Sequence, residues 1–390
     1  MDKVRFGVVG VGNMGSSHAR SLAKGLVKNG VLTAVCDINP DKIEALKGDI
    51  DPSVAKFSDA RQMFDSGLVD CVIIAVPHYL HPELSIAALN AGLNVVCEKP
   101  EGVYTKQVKQ LNDAASKSDK IFALMFNQRT NPSHIRLREM VASGELGQIK
   151  RLNWIITSWY RTQSYYDSGT WRATWTGEGG GVLFNQCPHQ LDLLQWIMGE
   201  SPTKVRAFCH FGKWHDIEVE DDVTAYMEFP CGATGCFITS TGDTPGTNRL
   251  EILGSKGKVV YENGVITYYK LACDEREFVV EAKDGFSEPD KTVTTTKIPN
   301  PELSEHNRVL NNVANAILGK EKLFIDGREG IMGVELADAM LLSTWLDKTV
   351  LLPVDDDLYL SELNKRRATS RRKEGTDRVM SLDNSFSDKK

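Results

Sequence analysis

The stretch Val4-Arg-Phe-Gly-Val-Val9-Gly10-Val-Gly12-Asn-Met-Gly15 decides the fold of the first third of the chain. Residues 4–9 form a short, mostly apolar run, which is typical of a parallel strand that is buried on both faces. The three glycines allow a tight turn, the close approach of a pyrophosphate, and close packing of a following helix, which we predict over residues 16–24. The N-terminus of that helix offers amide N–H groups to a phosphate. This spacing of glycines is a weak signal by itself, so its context decides.

Asp37 supplies that context. It ends a second apolar run, predicted as a strand over 31–36, and it lies about 20 residues beyond the last glycine, as a dinucleotide fold requires. A carboxylate here accepts hydrogen bonds from ribose hydroxyls and repels a 2′-phosphate, so it favours NAD over NADP. Asp37 also precedes Asn39-Pro40 and a helix predicted over 41–47, so a capping role stays open. The turn residues expected to contact the cofactor are Gly10, Gly12, Asn13 and Met14.

Strands and helices alternate through the first third of the chain. Apolar runs over 71–76, 94–97 and 121–126 are separated by helical patterns over 82–91 and 105–116. This alternation indicates the α/β class, with a parallel, doubly wound sheet of the Rossmann type. We assign residues 1–126 to this domain and expect its ligands at the carboxyl ends of the strands.

The composition changes near residue 150 to β-branched and aromatic runs that turn signals separate. Few helices lie between these predicted strands, which indicates an α+β domain, over 127–360, with a large, mainly antiparallel and open-faced sheet. Two helices, over 306–318 and 328–346, are expected to return to the first domain. An apolar open face favours a homo-oligomer, a dimer or a tetramer, whereas polar alternation along it favours contact with solvent.

The overall composition limits the possible partners. With 46 Lys and Arg, 52 Asp and Glu, and a net charge of −6, the chain has no long basic run before its C-terminus, so nucleic acid is not an expected partner. Its eight cysteines form no CxxC pair, which favours reduced thiols in the cytoplasm and no metal site. No segment has the ~20 apolar residues that span a bilayer, so we expect no membrane partner. The Lys/Arg-rich residues 361–390 are predicted to form a flexible or arm-like tail.

Two of the predicted strand ends carry reactive side chains. One reads Val76-Pro77-His78-Tyr-Leu-His81, and the other reads Cys97-Glu98-Lys99-Pro100. Lys99 follows a central strand, where it can anchor a cofactor or, with a pKa lowered by burial or by a nearby positive ring, transfer a proton. A surface lysine in a turn is the alternative, which the rigidity given by Glu98 and Pro100 disfavours.

A row of polar residues interrupts the apolar stretch Glu178-Gly-Gly-Gly-Val-Leu-Phe-Asn185-Gln-Cys-Pro188-His189-Gln-Leu-Asp192. As one helix over 178–198, this stretch places Asn185, His189 and Asp192 on a single face. Such groups are costly to bury without partners, which indicates a functional site. Pro188 opposes a continuous helix unless the regular part begins near it. A core histidine with a capping asparagine is the alternative.

The segment 159–175 holds six aromatic residues among polar ones. Aromatic rings pack on the C–H groups of sugars, and neighbouring polar side chains bind hydroxyls, so this segment can form one wall of a carbohydrate site. We single out Tyr160, Tyr165 and Tyr166 for that wall. Core packing at the end of a strand is the alternative.

Four motifs carry a resemblance to a known family. They are Gly10-x-Gly12-x-x-Gly15 with His18, Glu98-Lys99-Pro100, Trp171-Arg172, and Gly179-Gly-Gly with His189-x-x-Asp192. In order and spacing they resemble the Gfo/Idh/MocA oxidoreductases, over residues 3–359 of this chain. The resemblance implies that Lys99 and His189 handle the proton near the nicotinamide, and that Asn185 stands where the family commonly has an aspartate.

The same resemblance, with the aromatic segment, completes the expected site. The further cofactor-binding residues are Pro77, His78, His81, Glu98, Lys99, Trp171 and Arg172. The expected substrate-binding residues are Lys99, Arg129, Tyr160, Tyr165, Asn185, His189 and Asp192.

These features predict an NAD-dependent dehydrogenase that oxidises a secondary hydroxyl of a cyclic sugar or polyol, with hydride transfer to the nicotinamide. The Asn-Gln-x-x-His variant resembles family members that act at C3 of pyranosides, which favours C3 of a hexopyranoside. Three alternatives stay open: an inositol dehydrogenase, a glycosidase that uses bound NAD to oxidise C3 transiently, and a non-catalytic regulator that binds NAD or a sugar. The presence of both Lys99 and His189 disfavours the regulator, since it needs no proton-transfer pair.

Overall fold

The computed structural model describes residues 2–371 and residue 373. The strands of its N-terminal domain are β1 (Val4–Val9), β2 (Gly30–Cys36), β3 (Ala55–Phe57), β4 (Cys71–Ile74), β5 (Asn94–Cys97) and β6 (Phe122–Leu124). The helices between them are α1 (Asn13–Ala23), α2 (Pro40–Glu44), α3 (Ala60–Phe64), α4 (Leu80–Asn90) and α5 (Thr105–Lys117). All neighbouring strands pair in parallel, in the order β3-β2-β1-β4-β5-β6. The predicted Rossmann fold is confirmed.

The central strands of this sheet follow their apolar pattern. All four residues of β4 are completely buried, as a continuous apolar run in a parallel sheet predicts. The short elements β3 and α3, of three and five residues, were not predicted, because segments of that length carry too little periodicity. At the end of β1 a Cβ on Gly15 would lie 1.8 Å from the carbonyl oxygen of Gly10, so only glycine lets α1 pack this closely on the turn.

The second domain is built on a nine-stranded sheet. Its strands are β7 (Ile149–Ile156), β8 (Lys204–Phe211), β9 (Glu220–Glu228), β10 (Thr234–Ser240), β11 (Asn248–Gly254), β12 (Gly257–Glu262), β13 (Val265–Leu271), β14 (Lys291–Lys297) and β15 (Val350–Leu351). The order is β14-β13-β12-β11-β7-β10-β9-β8-β15. The pair β7 and β10 is parallel and every other neighbouring pair is antiparallel, so the mainly antiparallel sheet is also confirmed.

Among the described residues, seven helices accompany this sheet. They are α6 (Pro132–Ala142), α7 (Gln163–Tyr166), α8 (Pro188–Met198), α9 (Glu275–Glu281), α10 (Glu305–Ile317), α11 (Ile331–Trp345) and α12 (Asp356–Ala368), with 3-10 turns at Asn127–Thr130 and Gly327–Gly330. Within the described residues no helix has the length and apolar character needed to cross a bilayer.

The two faces of the large sheet differ. Along β9, Val223, Ala225 and Met227 are buried in the core beneath the helices, whereas Thr224 and Tyr226 on the other face are exposed. The outer face carries both exposed aromatic side chains and ion pairs. It therefore matches neither the apolar face that favours a homo-oligomer nor the polar alternation that favours contact with solvent. A face-to-face homo-oligomer therefore stays a prediction.

The C-terminal helices return to the first domain, as predicted. Val309, Val313 and their apolar neighbours on α10 belong to the same core cluster as the parallel sheet. On the other side, the N–H of Thr105 donates to Asp338 on α11 at 3.0 Å and its hydroxyl to Asp356 on α12 at 2.7 Å. These contacts join the first domain to the C-terminal helices.

The predicted start of the tail, at residue 361, is wrong, because helix α12 continues to Ala368. Residues 361–368 complete α12, where Leu363 is completely buried and the guanidinium of Arg366 lies 3.8 Å from the ring centre of Trp345. Cation–π stacking and the burial of one leucine hold a segment that its composition alone predicts to be flexible. Residues 372 and 374–390 of the predicted tail lie outside the described residues.

Candidate active site

The polar row does not lie on one helix. The prediction of a helix over 178–198 is wrong, because α8 begins only at Pro188. Proline at the first helical position loses no hydrogen bond, since that N–H has no partner within the helix. His189 and Asp192 therefore lie on α8, whereas Asn185 lies in the turn before it. The turn places Asn185 by contacts with other parts of the chain.

Glu220, at the start of β9, holds this turn. Its Oε1 accepts the N–H of Gly181 at 2.8 Å and that of Leu183 at 3.1 Å, and its carbonyl oxygen accepts the N–H of Val182 at 2.9 Å. A Cβ on Gly181 would come within 2.0 Å of the same carbonyl, so the approach requires glycine. Burial raises the pKa of Glu220 to about 8. No sequence pattern marks this residue as part of the site, since its partners are main-chain groups nearly 40 positions away.

Lys99 reaches from the first domain to this turn. It follows β5, its peptide bond to Pro100 is cis, and its Nζ donates to the main-chain carbonyl of Asn185 at 2.8 Å. Burial lowers the pKa of the Lys99 amine, against the raising effect of the Glu98 and Glu178 carboxylates. A lysine with a lowered pKa has a larger neutral fraction, which makes it a better proton acceptor.

The side chain of Asn185 belongs to a closed ring of polar contacts. Its Nδ2 donates to Glu178, and its Oδ1 accepts the hydroxyl of Tyr165 at 3.2 Å. Arg172 donates to the same hydroxyl at 3.0 Å, and its Nη1 lies 3.9 Å from Glu178. Glu178 was not a predicted site residue, although it directly precedes the predicted glycine run. An acidic residue next to that run is a signal that could have found it.

The imidazole ring of His189 lies near Lys99, and its Nδ1 is not fixed by a hydrogen bond to the described residues. The ring meets that of Phe126 edge-on at 6.2 Å, and this Nδ1 is buried. Burial and the charge of Lys99 hold the pKa of His189 well below its usual range, so the ring is neutral near pH 7. A neutral imidazole has one N–H donor and one acceptor, which suits it to hold a hydroxyl group.

The glycine turn of the first domain fits a dinucleotide. Gly10 has a φ of +83°, and no atom lies within 4 Å of the place where a Cβ would stand on Gly12, which leaves room for a phosphate. Asn13 and Met14 begin α1, whose N-terminus has no side-chain cap, so its N–H groups are available to an anion. The residues present therefore fit NAD at the predicted place.

Asp37 lies beside this turn. Its carboxylate accepts the N–H of Val11 and that of Asn39, both at 2.9 Å, which leaves lone pairs for ribose hydroxyls. The capping role weighed for Asp37 belongs to Asn39, whose side chain accepts the N–H of Asp41 at the start of α2.

Two family models match the chain. Residues 4–126 match a model described as an oxidoreductase family with an NAD-binding Rossmann fold, and residues 134–260 match the Gfo/Idh/MocA C-terminal domain. The chain belongs to the Gfo/Idh/MocA oxidoreductases. The resemblance, the enzyme class and the expected NAD cofactor are thereby confirmed.

Named relatives of this Gfo/Idh/MocA protein span both domains. It is 28% identical to the myo-inositol 2-dehydrogenase of Thermotoga maritima over 267 residues, 67% of this chain and 75% of that one. It is 24% identical to the levoglucosan dehydrogenase of Pseudarthrobacter phenanthrenivorans over 294 residues, 67% of this chain and 74% of that one. The crystal structure of the WlbA dehydrogenase from Bordetella pertussis with NADH and UDP-GlcNAcA has a TM-score of 0.74 and 27% identity, over 90% of this chain and 100% of that one.

Most of the other predicted cofactor residues lie around the ends of β4 and β5. His81 connects these ends, with its Nδ1 at 2.7 Å from the carbonyl of Pro100 and its Nε2 at 2.8 Å from that of Val76. Glu98 bonds to Nε2 of His18 at 2.6 Å, and this contact lowers the pKa of Glu98 to about 2 in spite of its burial. Pro77 accepts an N–H at the start of α4. His81 and Glu98 thus shape the floor of the site.

His78 and Trp171 meet across the domain boundary. Their rings contact edge to face at 5.5 Å, and Nδ1 of His78 donates to the carbonyl of Glu178 at 3.3 Å. The guanidinium of Arg172 lies 4.6 Å from the ring centre of Trp171 and 4.8 Å from that of Tyr165. The first domain therefore contacts both the aromatic segment and the turn that holds Asn185.

Arg129 and Asp192 bond to each other. The guanidinium donates to both carboxylate oxygens, at 2.8 Å and 2.5 Å, and also to Glu329, and each of the two paired side chains is only 1% exposed. Removing one partner of such a buried pair costs about 3–5 kcal/mol, because the other charge is left without compensation. This geometry favours a structural role for the pair, which connects α8 to the 3-10 turn at Asn127–Thr130. Direct contact of either residue with substrate stays a prediction.

The three tyrosines of the aromatic segment have different surroundings. Tyr165 joins the ring around Asn185, as above, whereas Tyr166 is 2% exposed and bonds to Thr241. Tyr160 is 47% exposed, so its place on a sugar-binding wall stays a prediction. Within the described residues no three His, Cys, Asp or Glu side chains are grouped as metal ligands.

Proposed function

We propose that this oxidoreductase oxidises a secondary hydroxyl of a cyclic sugar or polyol, with C3 of a hexopyranoside as the preferred position. The observation that carries this proposal is the contact of Lys99 with the turn at Asn185, beside the neutral ring of His189. The matched relatives include a myo-inositol 2-dehydrogenase and a levoglucosan dehydrogenase, and both names denote cyclic polyhydroxy substrates. The choice of C3 rests on the resemblance of the Asn-Gln-x-x-His variant to pyranoside dehydrogenases.

In the proposed reaction the chain provides the proton chemistry and the orientation of the substrate. Bound NAD supplies the hydride acceptor. The neutral fraction of the Lys99 amine, which burial enlarges, takes the proton of the reacting hydroxyl. The neutral ring of His189 holds that oxygen through its N–H while charge develops. Each of these two groups comes from a different domain, so the reacting hydroxyl would bind where the two domains meet.

Asn185 and Tyr165 would orient the sugar. The ring of contacts around Asn185 uses one N–H of its amide, which leaves the second N–H for a neighbouring hydroxyl of the substrate. The aromatic face of Tyr165 can pack on sugar C–H groups. A carbohydrate is therefore the proposed small-molecule partner.

The experiment that tests this function mixes the purified protein with NAD and a panel of hexopyranosides, levoglucosan and inositols. Net formation of NADH, followed by its absorbance, with an oxidised sugar identified by mass spectrometry, is the expected result. Release of an aglycone without net NADH would favour the transient-oxidation glycosidase. Turnover of inositols alone would favour the inositol dehydrogenase. No reaction with any of these compounds, although NAD is bound, would overturn the proposal.

We also propose a cytoplasmic homo-oligomer. The compartment is inferred from NAD as cofactor and from eight cysteines that are all free thiols. The association is inferred from the exposed aromatic side chains on the outer face of the large sheet.

A further inference from the structure

Glu178 is a buried carboxylate to which the proposed reaction assigns no part. We propose that Glu178 is a positioning residue. Asn185 stands where this family commonly has an aspartate, and the carboxylate of Glu178, which bonds to the amide of Asn185, replaces the carboxylate of that aspartate. This inference rests on the proposed function, because it assigns a role at the same site. The role is to fix the amide of Asn185 and, through it, the amine of Lys99.

The contacts of Glu178 fix the direction of the amide. One carboxylate oxygen accepts Nδ2 of Asn185, and the other accepts the N–H of Ala173 at 2.6 Å. Burial raises the pKa of Glu178, whereas Arg172, the N–H of Ala173, Asn185 and Lys99 all favour its ionised form, in which it only accepts hydrogen bonds. With Glu178 ionised, Nδ2 of Asn185 faces Glu178 and Oδ1 faces the hydroxyl of Tyr165. Glu178 is 1% exposed, so water does not compete for these bonds. The amide cannot reverse without losing both contacts.

The same asparagine holds Lys99. Its main-chain oxygen accepts Nζ at 2.8 Å, so a displacement of Asn185 also displaces the amine that takes the proton. The charge of Glu178 acts on this amine too and raises the pKa of Lys99. The other groups that face Lys99 are Glu98, Arg172, Cys187, His78, His81, His189 and His306.

The first test measures the amine directly and needs no substrate. Competitive labelling with trace acetic anhydride over a range of pH, with mass spectrometry, gives the pKa of Lys99 in the complete protein with NAD bound. In Glu178→Gln the pKa of Lys99 should fall by roughly half a unit or more, because a negative charge is removed. Thermal unfolding and NAD binding of each variant show whether it is folded.

Glu101→Gln is the matched control for this test. Glu101 is a completely buried carboxyl two positions from Lys99, and burial raises the pKa of Glu101 well above its usual range, so it is already neutral. Its replacement removes no charge, and the pKa of Lys99 should not move. An unchanged pKa of Lys99 in Glu178→Gln, or an equal fall in both variants, would overturn the proposal.

The second test exchanges the carboxylate at position 178 and the amide at position 185, and it measures kcat. Glu178→Gln should lower kcat by roughly tenfold or more and leave the KM for NAD unchanged, since orientation of the reacting groups is lost. The double variant Glu178→Gln with Asn185→Asp keeps one carboxylate and one amide in contact, so it should recover most of that loss. Asn185→Asp alone brings two carboxylates together and should be impaired.

The outcomes separate the two proposals. A double variant that is folded but no more active than Glu178→Gln would show that a carboxylate at position 185 does not replace that of Glu178, and the positioning role would be rejected. If Glu178→Gln does not fold, the double variant still decides, by comparison with Asn185→Asp. If no compound in the panel reacts, the proposed function fails, whereas the labelling experiment still tests the effect of Glu178 on Lys99.

Discussion

Lys99 is the residue on which the proposed proton transfer depends. Lys99→Ala should lower kcat by roughly 100- to 10,000-fold, because the amine that takes the hydroxyl proton is lost. NAD binding, measured by calorimetry, should persist, because Gly12 and Asp37, which are predicted to bind the far half of the cofactor, are unchanged. Lys106→Ala is the matched control, since Lys106 is an exposed lysine that pairs with Asp357. Retained turnover in Lys99→Ala would remove the lysine from the mechanism.

Asp37 should determine the choice between NAD and NADP. Asp37→Asn keeps the size of the side chain and an acceptor for Val11, but it loses the charge that attracts ribose hydroxyls and repels a 2′-phosphate. The affinity for NAD should fall by about tenfold or more, because a hydrogen bond to a charged group contributes about 1.5–3 kcal/mol. The ratio of kcat/KM for NADP to that for NAD should rise. An unchanged ratio would contradict this assignment.

Residues at a fixed distance from a motif could be predicted from the sequence, and residues whose partners come from the fold could not. Lys99 and Asp37 follow predicted strands, so the strand pattern alone placed them at the edge of the sheet. Glu220 gave no such signal, since its carboxylate serves main-chain N–H groups of a distant turn. Arg129 and Asp192 were predicted to bind substrate, Arg129 from the family resemblance and Asp192 from the polar row, but pairing between them is a property of the folded chain.

At the scale of elements, the start of α8 shows how one proline changes the site. The apolar spacing continues through residues 178–198, and periodicity alone therefore predicts one long helix. Pro188 and the three glycines prevent a helix over residues 178–187. This segment turns back instead, and the main-chain carbonyl of Asn185 faces Lys99. In a continuous helix that carbonyl would accept the main-chain N–H of His189, whereas in the turn it accepts Nζ of Lys99. The irregular turn therefore provides the acceptor through which Lys99 contacts the second domain.

Glu220 makes the free energy of unfolding depend on pH. The pKa of this carboxyl is raised from 4.5 to about 8 in the folded protein, so between these values the folded state holds a proton that the unfolded state has lost. The free energy of unfolding therefore falls as pH rises, by at most about 1.4 kcal/mol per unit for this group. Glu220→Gln has no such proton and keeps an oxygen for the N–H groups of Gly181 and Leu183.

Thermal unfolding measures this difference. The stability of Glu220→Gln relative to the wild type should increase from pH 4.5 to pH 8 and remain constant above it. Glu220→Ala, which removes the acceptor, should be less stable than Glu220→Gln at every pH, since buried N–H groups then lack a partner. A difference between Glu220→Gln and the wild type that does not vary with pH would show that Glu220 is ionised in the folded protein.

At the scale of the whole molecule, the outer face of the large sheet should join copies of the chain. Phe208 on β8 and Tyr226 on β9 are 53% and 43% exposed there. Light scattering should give a multiple of the chain mass, and Phe208→Asp with Tyr226→Asp should reduce it, because buried charges oppose the contact. Phe286→Asp, at a side chain 98% exposed in the segment before β14, should leave the mass unchanged. A monomeric wild type would reject the oligomer.

The C-terminal segment also connects distant parts of the molecule. The carboxylate of Glu218 accepts the N–H of Trp175 at 2.6 Å, at the end of the aromatic segment. It also accepts the hydroxyl of Ser370 and the N–H of Arg371, the latter at 2.8 Å. The end of the described chain therefore helps to order the segment that carries Tyr165. No composition rule predicts such a contact, since it depends on where α12 directs the chain.

Removal of residues 370–390 tests this connection. Glu218 would then hold only Trp175, and the aromatic segment would have to be ordered when the sugar binds. We expect the KM for the sugar to rise by about fivefold, which corresponds to about 1 kcal/mol for ordering side chains, with little change in the affinity for NAD. Ser370→Ala, which keeps the main-chain N–H at Arg371, should have a smaller effect. A truncated protein with the wild-type KM would show that the segment is ordered without the C-terminus.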